Sequence, residues 1–475
     1  MDLTEKNKLL YARAGFGISP AALADPMPVG QLVNQLLTQG KPAPLLVVDL
    51  DEWHSYSSLL KASMNNDMEK QELRKQFRER TKDLNRAWIK QMATTNDPLQ
   101  EKMALFWHGH FAAHIDNPFH GQQLLDVIRQ NALGNFGDLL TGISKSPAML
   151  QFLNNRQNKK QHPNENFARE VMELFTLGRG HYTEDDVKEA ARAFTGWNFD
   201  GDGKFIFHYG QHDDDSKKIL GQTGNFDGDD VLRILLQQKQ TSVFITQKIY
   251  RYFVSDERTD ERHVKHLAAT FYDSNYDISA LLREIFNAGW FYESGNVAAK
   301  IKSPIELLVG YQRLLPMQFD KETTIIYLQR VLGQVLFEPP NVAGWPGGKN
   351  WIDSSTLVLR MRLPEALLGT SELNLEAKDN EQELTEMHST DSHNAKHGQH
   401  FRVGAVDADW TNYIEHFNTC ATTNLPDAIA HMLLPRQPDP EQIKSIERFA
   451  DKDTREQYIK SLTILIMGLP EYQLC

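Results

Sequence analysis

Apolar residues recur three and four positions apart over most of this 475-residue chain, a spacing that predicts helix after helix. The clearest case is NENFAREVMELFTLGRGHYTEDDVKEAARAFTGW, from Asn164 to Trp197. With Phe167 at zero on a helical wheel, Val171, Leu174 and Phe175 share its side, while Glu165, Arg169, Glu173 and Thr176 gather opposite. Gly178 and Gly180 supply the positive φ that ends a helix, and Thr183 with Asp186 three residues on predicts the start of the next one as a variant capping box. Val187, Ala190, Ala191 and Phe194 form the buried stripe of that second helix, and Gly196 closes it.

The same reading extends along the chain. Residues 4–40 predict two helices broken at Gly15–Pro20, and Asp51 to Thr94 has so few apolar residues per turn that a long, partly solvated helix is expected. Asp97 is placed to cap a helix whose first residue is Pro98, and LQEKMALFWHGHFAAH follows as an apolar, aromatic helix. From Trp197 to His208 the period changes and a small hairpin is expected, the one β element in the reading. Helical spacing returns at Asp227 and runs to Phe337. A stiff loop from Pro339 to Gly348 then precedes a helix at Ser354–Leu368. The polar stretch from about Ser371 to His400 predicts a linker, in which His388, His393, His397 and His400 are read as solvated spacer rather than metal ligands. The expected architecture is mainly α, a multi-helical body with one small β-hairpin near 197–208. Its parts are a main domain over 1–370, a linker over 371–404 and C-terminal helices over 405–475 that pack on the main domain.

Charge narrows the function classes. Lys plus Arg number 51 against 63 Asp plus Glu, a formal net charge of −12, which argues against sequence-independent binding to phosphate backbones. Two cysteines, Cys420 and Cys475, rule out a disulfide framework or a four-cysteine zinc site. No apolar run is long enough to span a membrane. The opening MDLTEKNKLLYARAGFG lacks the basic and apolar regions of an export signal, so a cytoplasmic location is expected.

Four groups of residues carry candidate chemistry. In FWHGHF, His108 and His110 are two apart, so on a regular helix their rings point about 200° apart; they reach one metal ion only if Gly109 lets the helix end or distort there, whereas His110 and His114 have the i,i+4 spacing of helical metal ligands. Glu170 lies about 60° from the apolar midline of its helix, an edge position that demands a partner for a half-buried carboxylate. Arg169 and Glu173, and Glu189 and Arg192, are spaced to pair along their helices. His212, Asp213 and Lys217 follow the hairpin in HDDDSKK, where a loop can turn side chains into a cleft. Trp197, Trp345 and Trp351 offer flat surfaces for substrate binding, the last two in the proline-rich loop. Motifs for serine nucleophiles, phosphate loops, dinucleotide folds and c-type haem are missing from the sequence.

The runs NENFARExMELFTLG and YTEDDVxEAARAFTGW, together with FWHGHF, HDDDSKKILG at His212–Gly221 and PPNVAGWPGGKNW at Pro339–Trp351, resemble the signature of a bacterial family catalogued as domain of unknown function 1800. LLYARAGFG and the residues around Lys302–Pro304 fit as well, so the likeness covers Leu9 to about Leu368. The resemblance favours His108 and His110 over His114 and confers no reaction. It also implies a partner, since relatives are often encoded beside an exported protein of sulfatase or phosphatase fold. Two readings stand. One is a hydrolase-like or oxidoreductase enzyme, with a cleft between the FWHGHF helix and the 164–197 helix pair. Its metal is Zn, Mn or Fe on His108, His110 and Glu170, or its acid and base are His and Glu, with Arg169 and Glu173 beside them. The other is a non-catalytic partner or chaperone, carried to the periplasm by co-export.

Overall fold

The computed structural model describes residues 1–38, 40, 42–62, 66–369, 374–375, 401–402 and 406–475. In chain order the helices are α1 (Leu3–Ala14), α2 (Pro20–Ala24), α3 (Val29–Leu37), α4 (Leu50–Ala62), α5 (Asp67–Thr94), α6 (Pro98–His110), α7 (Pro118–Asn131), α8 (Phe136–Ser144), α9 (Pro147–Phe152), α10 (Glu165–Glu170), α11 (Glu184–Ala193), α12 (Gly228–Gln237), α13 (Lys239–Phe253), α14 (Glu261–Asp273) and α15 (Ile278–Asn287). They continue as α16 (Pro304–Leu314), α17 (Thr324–Leu332), α18 (Ser354–Leu368), α19 (Thr411–His416), α20 (Leu425–Leu433), α21 (Pro440–Glu447) and α22 (Arg455–Met467). The fold is mainly α, as the periodicity predicts.

The chain forms two compact units. One comprises Met1–Gly15, Met27–Asn296 and Leu336–Pro346; the other comprises Phe16–Pro26, Val297–Val335 and Gly347–Cys475. The expected hairpin is present as β1 (Trp197–Phe199) and β2 (Phe205–Phe207), antiparallel with Trp197 opposite Phe207. It is not the only β element among the described residues. A second hairpin pairs β3 (Lys217–Ile219) with β4 (Gln222–Gly224). In the second unit β5 (Met317–Phe319), β6 (Asn374–Leu375), β7 (Phe401–Arg402) and β8 (Val406–Ala408) form two short antiparallel pairs, β5 with β8 and β6 with β7. Strands of two or three residues carry little alternation to register as a period, so all but the first pair escape the sequence. Apart from β6 and β7, residues 370–405, with the four histidines of the expected linker, lie outside the described residues.

In the first unit the expected long helix over 51–94 is two helices, α4 and α5, with the Asn66 side chain accepting from the Met68 amide to start the second. Along α5, Leu73, Phe77, Leu84, Trp88 and Met92 are buried at helical spacing on an otherwise wet helix. Its neighbour α6 is buried nearly all round. The charge this encloses is matched: Glu101 pairs with Arg129 of α7 at 2.6 Å, both side chains 1% exposed, and also accepts from the Trp88 indole at 2.9 Å. Breaking one partner of such a pair costs about 3–5 kcal/mol. Asp97 occupies the cap position of α6, but its side chain makes no capping bond, so Pro98 alone marks the start.

The helix pair from Asn164 to Trp197 forms as expected at its ends. Gly178 and Gly180 have φ of 81° and 86°, and Thr183 and Asp186 close a reciprocal capping box. Its middle differs. After α10 the backbone widens to a π-helix over Val171–Thr176, closed by the Leu177 amide bonding to Met172 O at 2.8 Å. Widening the turn rotates the face, so Met172 and Thr176 are buried and Leu174 is only half-buried. Thr176, expected on the charged side, instead gives its hydroxyl to Val171 O at 2.7 Å.

Candidate functional site

Helix α6 stays regular to His110, so His108 and His110 face opposite surroundings, as two-residue spacing dictates. His108 is buried, with its ring stacked on Trp345 at 5.4 Å and edge-on to Trp88 and Phe337. Its Nε2 accepts the Phe337 amide at 3.3 Å, which assigns the ring proton to Nδ1. Burial pulls its pKa down to about 3. His110 sits among Phe106, Trp107, Phe111, Phe175 and Phe244. Nε2 donates to Phe175 O at 3.2 Å and Nδ1 accepts from the Lys248 ammonium at 3.3 Å. Burial first, and Lys248 next, hold His110 well below the usual histidine range. The seam between α6 and the π turn, expected to open as a cleft, is filled by these rings.

The proposed metal set is therefore not assembled. Among the described residues no three His, Cys, Asp or Glu side chains are placed to hold an ion, and the reason is local. One imidazole spends its acceptor on a backbone amide, the other is locked between a carbonyl and an ammonium, and a cation at Lys248 repels a second cation. The residues do not fit Zn, Mn or Fe at His108, His110 and Glu170. His114, the i,i+4 alternative, falls in the loop beyond the helix end.

The carboxylates of the helix pair are turned mainly to guanidinium groups. Arg169 pairs with Glu184 at 2.6 Å and Glu165 at 3.1 Å rather than with Glu173. Glu173 pairs with Arg179 at 2.8 Å and accepts from the Tyr182 hydroxyl, and the latter bond chiefly holds its carboxyl below the usual range. Glu170 is half-buried; burial, then Glu173, push its carboxyl up, opposed by Arg169. Glu189 and Arg192 pair at 2.9 Å as their spacing predicts.

The HDDDSKK loop is tied back to α11. Arg192 also holds Asp213 at 2.8 Å, the His212 ring bonds at Nδ1 to Thr195 O at 3.0 Å, and Thr195 Oγ1 accepts the Asp213 amide at 2.9 Å. Lys217 is buried and donates to the carbonyls of Asp213 and Asp215, with burial lowering its pKa. Trp197 is 2% exposed, packed edge-on against Phe194 and Phe205. Trp345 gives a face to His108, and Trp351 is 7% exposed. These residues serve as fastenings of the fold.

A polar cleft does open in the first unit, just past the end of α6. Its cavity of about 320 Å³ is lined by His114, Asp116 and Asn117 from the loop, His120 from the first turn of α7, and Gln151 and Asn154 from and after α9, with Ile115, Ala148 and Phe152 as apolar wall. The Asn117 side chain caps α7 by accepting from the Phe119 and His120 amides. Gly121 lets the loop fold back closely, since a Cβ there would stand 2.5 Å from Ile115 Cγ2. His114 Nε2 and Asp116 Oδ1 are 3.4 Å apart at the exposed rim, and that bond, with help from Arg74, holds the Asp116 carboxyl low. Asn154 takes the left-handed conformation, φ 58° and ψ 22°, a strained choice for a residue with a Cβ.

His120 is the feature that the sequence reading missed. It is 5% exposed, its ring against Trp53 at 5.4 Å and Phe199 at 5.0 Å, and neither nitrogen has a hydrogen-bond partner among the described residues. Burial pulls its pKa to about 4, the Arg156 guanidinium adds to this, and the Gln151 side chain opposes it without reaching hydrogen-bond geometry. A ring with one donor and one acceptor, both unused and at a cavity wall, is a ready binding group. A lone histidine in NPFHGQQ has no spacing signal; only the adjoining glycine hints at a close approach.

Neither a curated protein nor a solved structure matches this chain. A family model described as protein of unknown function (DUF1800) does match, over residues 9–474, which takes in α6, the 164–197 helix pair, the proline-rich loop and the cleft alike. On that match over nearly the whole chain, the protein belongs to the DUF1800 family.

Proposed function

We propose that this chain is a hydrolase-like acid–base enzyme whose site is the cleft at the end of α6, with His120 as the proton acceptor. The observation that supports this reading is one residue: a buried imidazole, neutral at pH 7, that lines a polar cavity and has both nitrogens unpartnered among the described residues. Leaving a buried polar atom unpaired costs about 1–3 kcal/mol, a penalty that a substrate offering one donor and one acceptor removes on binding. A water in the cleft gives its proton to the free ring nitrogen as its oxygen bonds to an acyl or phosphoryl centre, and the ring passes that proton to the leaving oxygen as its bond to the centre breaks. The opposite N–H then donates to an oxygen on the substrate, and the Gln151 and Asn154 amides add donors nearby. His114 and Asp116 at the rim form a second, solvent-linked proton carrier.

The test is hydrolysis of p-nitrophenyl acetate and p-nitrophenyl phosphate by the full chain and by His120→Gln, which keeps polarity but not basicity. Loss of about 10²–10⁴-fold in rate, with the unfolding midpoint held, is expected. Equal rates in the two proteins, or no rate above buffer in either, defeat the enzyme reading.

A second reading is favoured by the ring's low pKa. A base at about 4 is weaker than the neutral range at which base strength and availability balance. On this reading the cleft binds without catalysing, and the chain escorts an exported sulfatase- or phosphatase-fold partner to the periplasm; the enzyme reading leaves it in the cytoplasm. Co-expression with such a partner, scored by whether the partner reaches the periplasm folded with wild-type chain but not with His120→Leu, separates the two.

A further inference from the structure

Among the described residues three arginines are fully enclosed, Arg13, Arg129 and Arg360, and two are matched. Arg13 donates to the carbonyls of Phe253, Val254 and Asn296, and Arg129 faces Glu101. Arg360 differs. It sits on α18 in the second unit, 0% exposed, and among the described residues it bonds from Nη1 to Lys302 O at 2.9 Å. Nε and Nη2 have no partner among the described residues. Those two atoms lie on the same edge of the guanidinium, the edge that grips an anion with two parallel N–H groups.

The surroundings point the same way. Tyr311 of α16 is 1% exposed and its hydroxyl is unpartnered; Gln473 is 1% exposed and neither atom of its amide is partnered. Lys302 ties the groups together: its carbonyl takes Arg360 Nη1 and its amide donates to Gln473 O at 2.9 Å, and the Gln473 side chain approaches the Tyr311 hydroxyl without reaching hydrogen-bond geometry. Tyr472, stacked on Tyr311 at 5.8 Å with planes 3° apart, closes one side. The acid acting on Arg360, Glu306, has Oε2 engaged by the Ser303 amide at 2.6 Å in the capping box of α16. Burial lowers the Arg360 pKa to about 10, which leaves it charged at neutral pH. An enclosed charge of +1 is disfavoured unless it is balanced, and Glu306, the acid acting on it, has an oxygen already committed to the helix cap.

We propose that the second unit binds a small monovalent anion of halide size, chloride in the cell, held by the Nε and Nη2 donors of Arg360, the Tyr311 hydroxyl and the Gln473 amide. A single negative charge balances the guanidinium, whereas sulfate or phosphate would bring two. A spherical ion also takes donors from several directions at once, as these three side chains supply them. The ion neutralises a charge that holds α18 to the backbone at Lys302, so it acts on the stability of this unit and owes nothing to the cleft in the other.

The test uses the full chain. In sodium chloride or bromide the unfolding midpoint should rise with a saturating dependence on concentration, by about 2–4 °C over sodium sulfate at matched ionic strength. Crystals grown in bromide should show an anomalous peak within hydrogen-bond reach of Arg360 Nη2. Arg360→Met should abolish the halide-specific shift; should that protein fail to fold, Tyr311→Phe, which removes one donor only, should weaken it. Equal midpoints in halide and sulfate, or density at Arg360 without anomalous signal, overturn the proposal.

Discussion

His110 and His120 are ten residues apart, both buried, both neutral at pH 7 and both wrapped in aromatic rings, yet they stand in opposite conditions. At His110 every ring nitrogen is engaged, by Phe175 O and by Lys248. At His120 neither has a partner among the described residues, and the ring lines a cavity. The contrast shows why burial and a depressed pKa do not by themselves mark a site. Desolvation lowers both rings; what separates a structural histidine from a binding one is whether its hydrogen-bonding capacity is already spent within the fold.

The sharpest way to break the comparison is to remove the spent ring. His110→Leu fills similar space but leaves the Phe175 carbonyl without its donor and the Lys248 ammonium without its acceptor. A loss of about 2–4 kcal/mol is expected from two stranded buried groups, read from urea unfolding. A loss below about 1 kcal/mol would show that water replaces the ring without penalty and that His110 is no more structural than His120.

Acid is the next largest lever. His120 has a folded pKa near 4 against 6.5 unfolded, so between those values the unfolded chain binds the extra proton. Stability is present in full above about pH 6.5 and falls as the pH drops towards 4, at about 1.4 kcal/mol per unit for this one group. His108, at about 3, and His110 add slopes of the same sign. His120→Leu should remove one proton's worth of the slope over this window, and His120 occupied by a ligand at both nitrogens should shift its own share. An unchanged slope in the variant would mean that the ring is protonated in the folded protein and that the cleft is wetter than its burial implies.

How far the sequence reaches follows from the same two residues. Local rules worked where the answer is local: Gly178 and Gly180 end a helix, Thr183 and Asp186 begin one, and two-residue spacing alone sets His108 and His110 on opposite faces. They failed where the answer depends on partners far along the chain. Arg169 is as well spaced for Glu173 as for Glu165, and only the return of α11, which brings Glu184 to it, decides. The π turn that buries Thr176 obeys no periodicity a wheel can show. His120 shares a short segment with the cap at Asn117 and the close approach at Gly121, but its lack of partners is a property of Trp53, Phe199 and Gln151, which lie on other elements.

A smaller effect concerns the cleft wall. Asn154 is left-handed, and a residue without a polar side chain tolerates that conformation less well, so Asn154→Ala should lose about 1 kcal/mol and Asn154→Gly almost nothing. If Ala is as stable as Asn, the wall bends freely and its amide is not held in place for a ligand.

The smallest expected change is also the most discriminating. Replacing His120 by Leu at pH 7 exchanges a ring that makes no hydrogen bond among the described residues for an apolar group among Trp53, Phe119 and Phe199. Two desolvated polar atoms disappear while some aromatic contact is lost, and the terms nearly cancel, so stability should change by less than about 1 kcal/mol in either direction. Against the loss expected at His110, that near-zero value is the quantitative form of the contrast: the fold depends on one imidazole and merely houses the other. A loss of about 3 kcal/mol in His120→Leu would instead place unseen hydrogen bonds on the ring, make it a second structural histidine, and leave the cleft without its chemical centre.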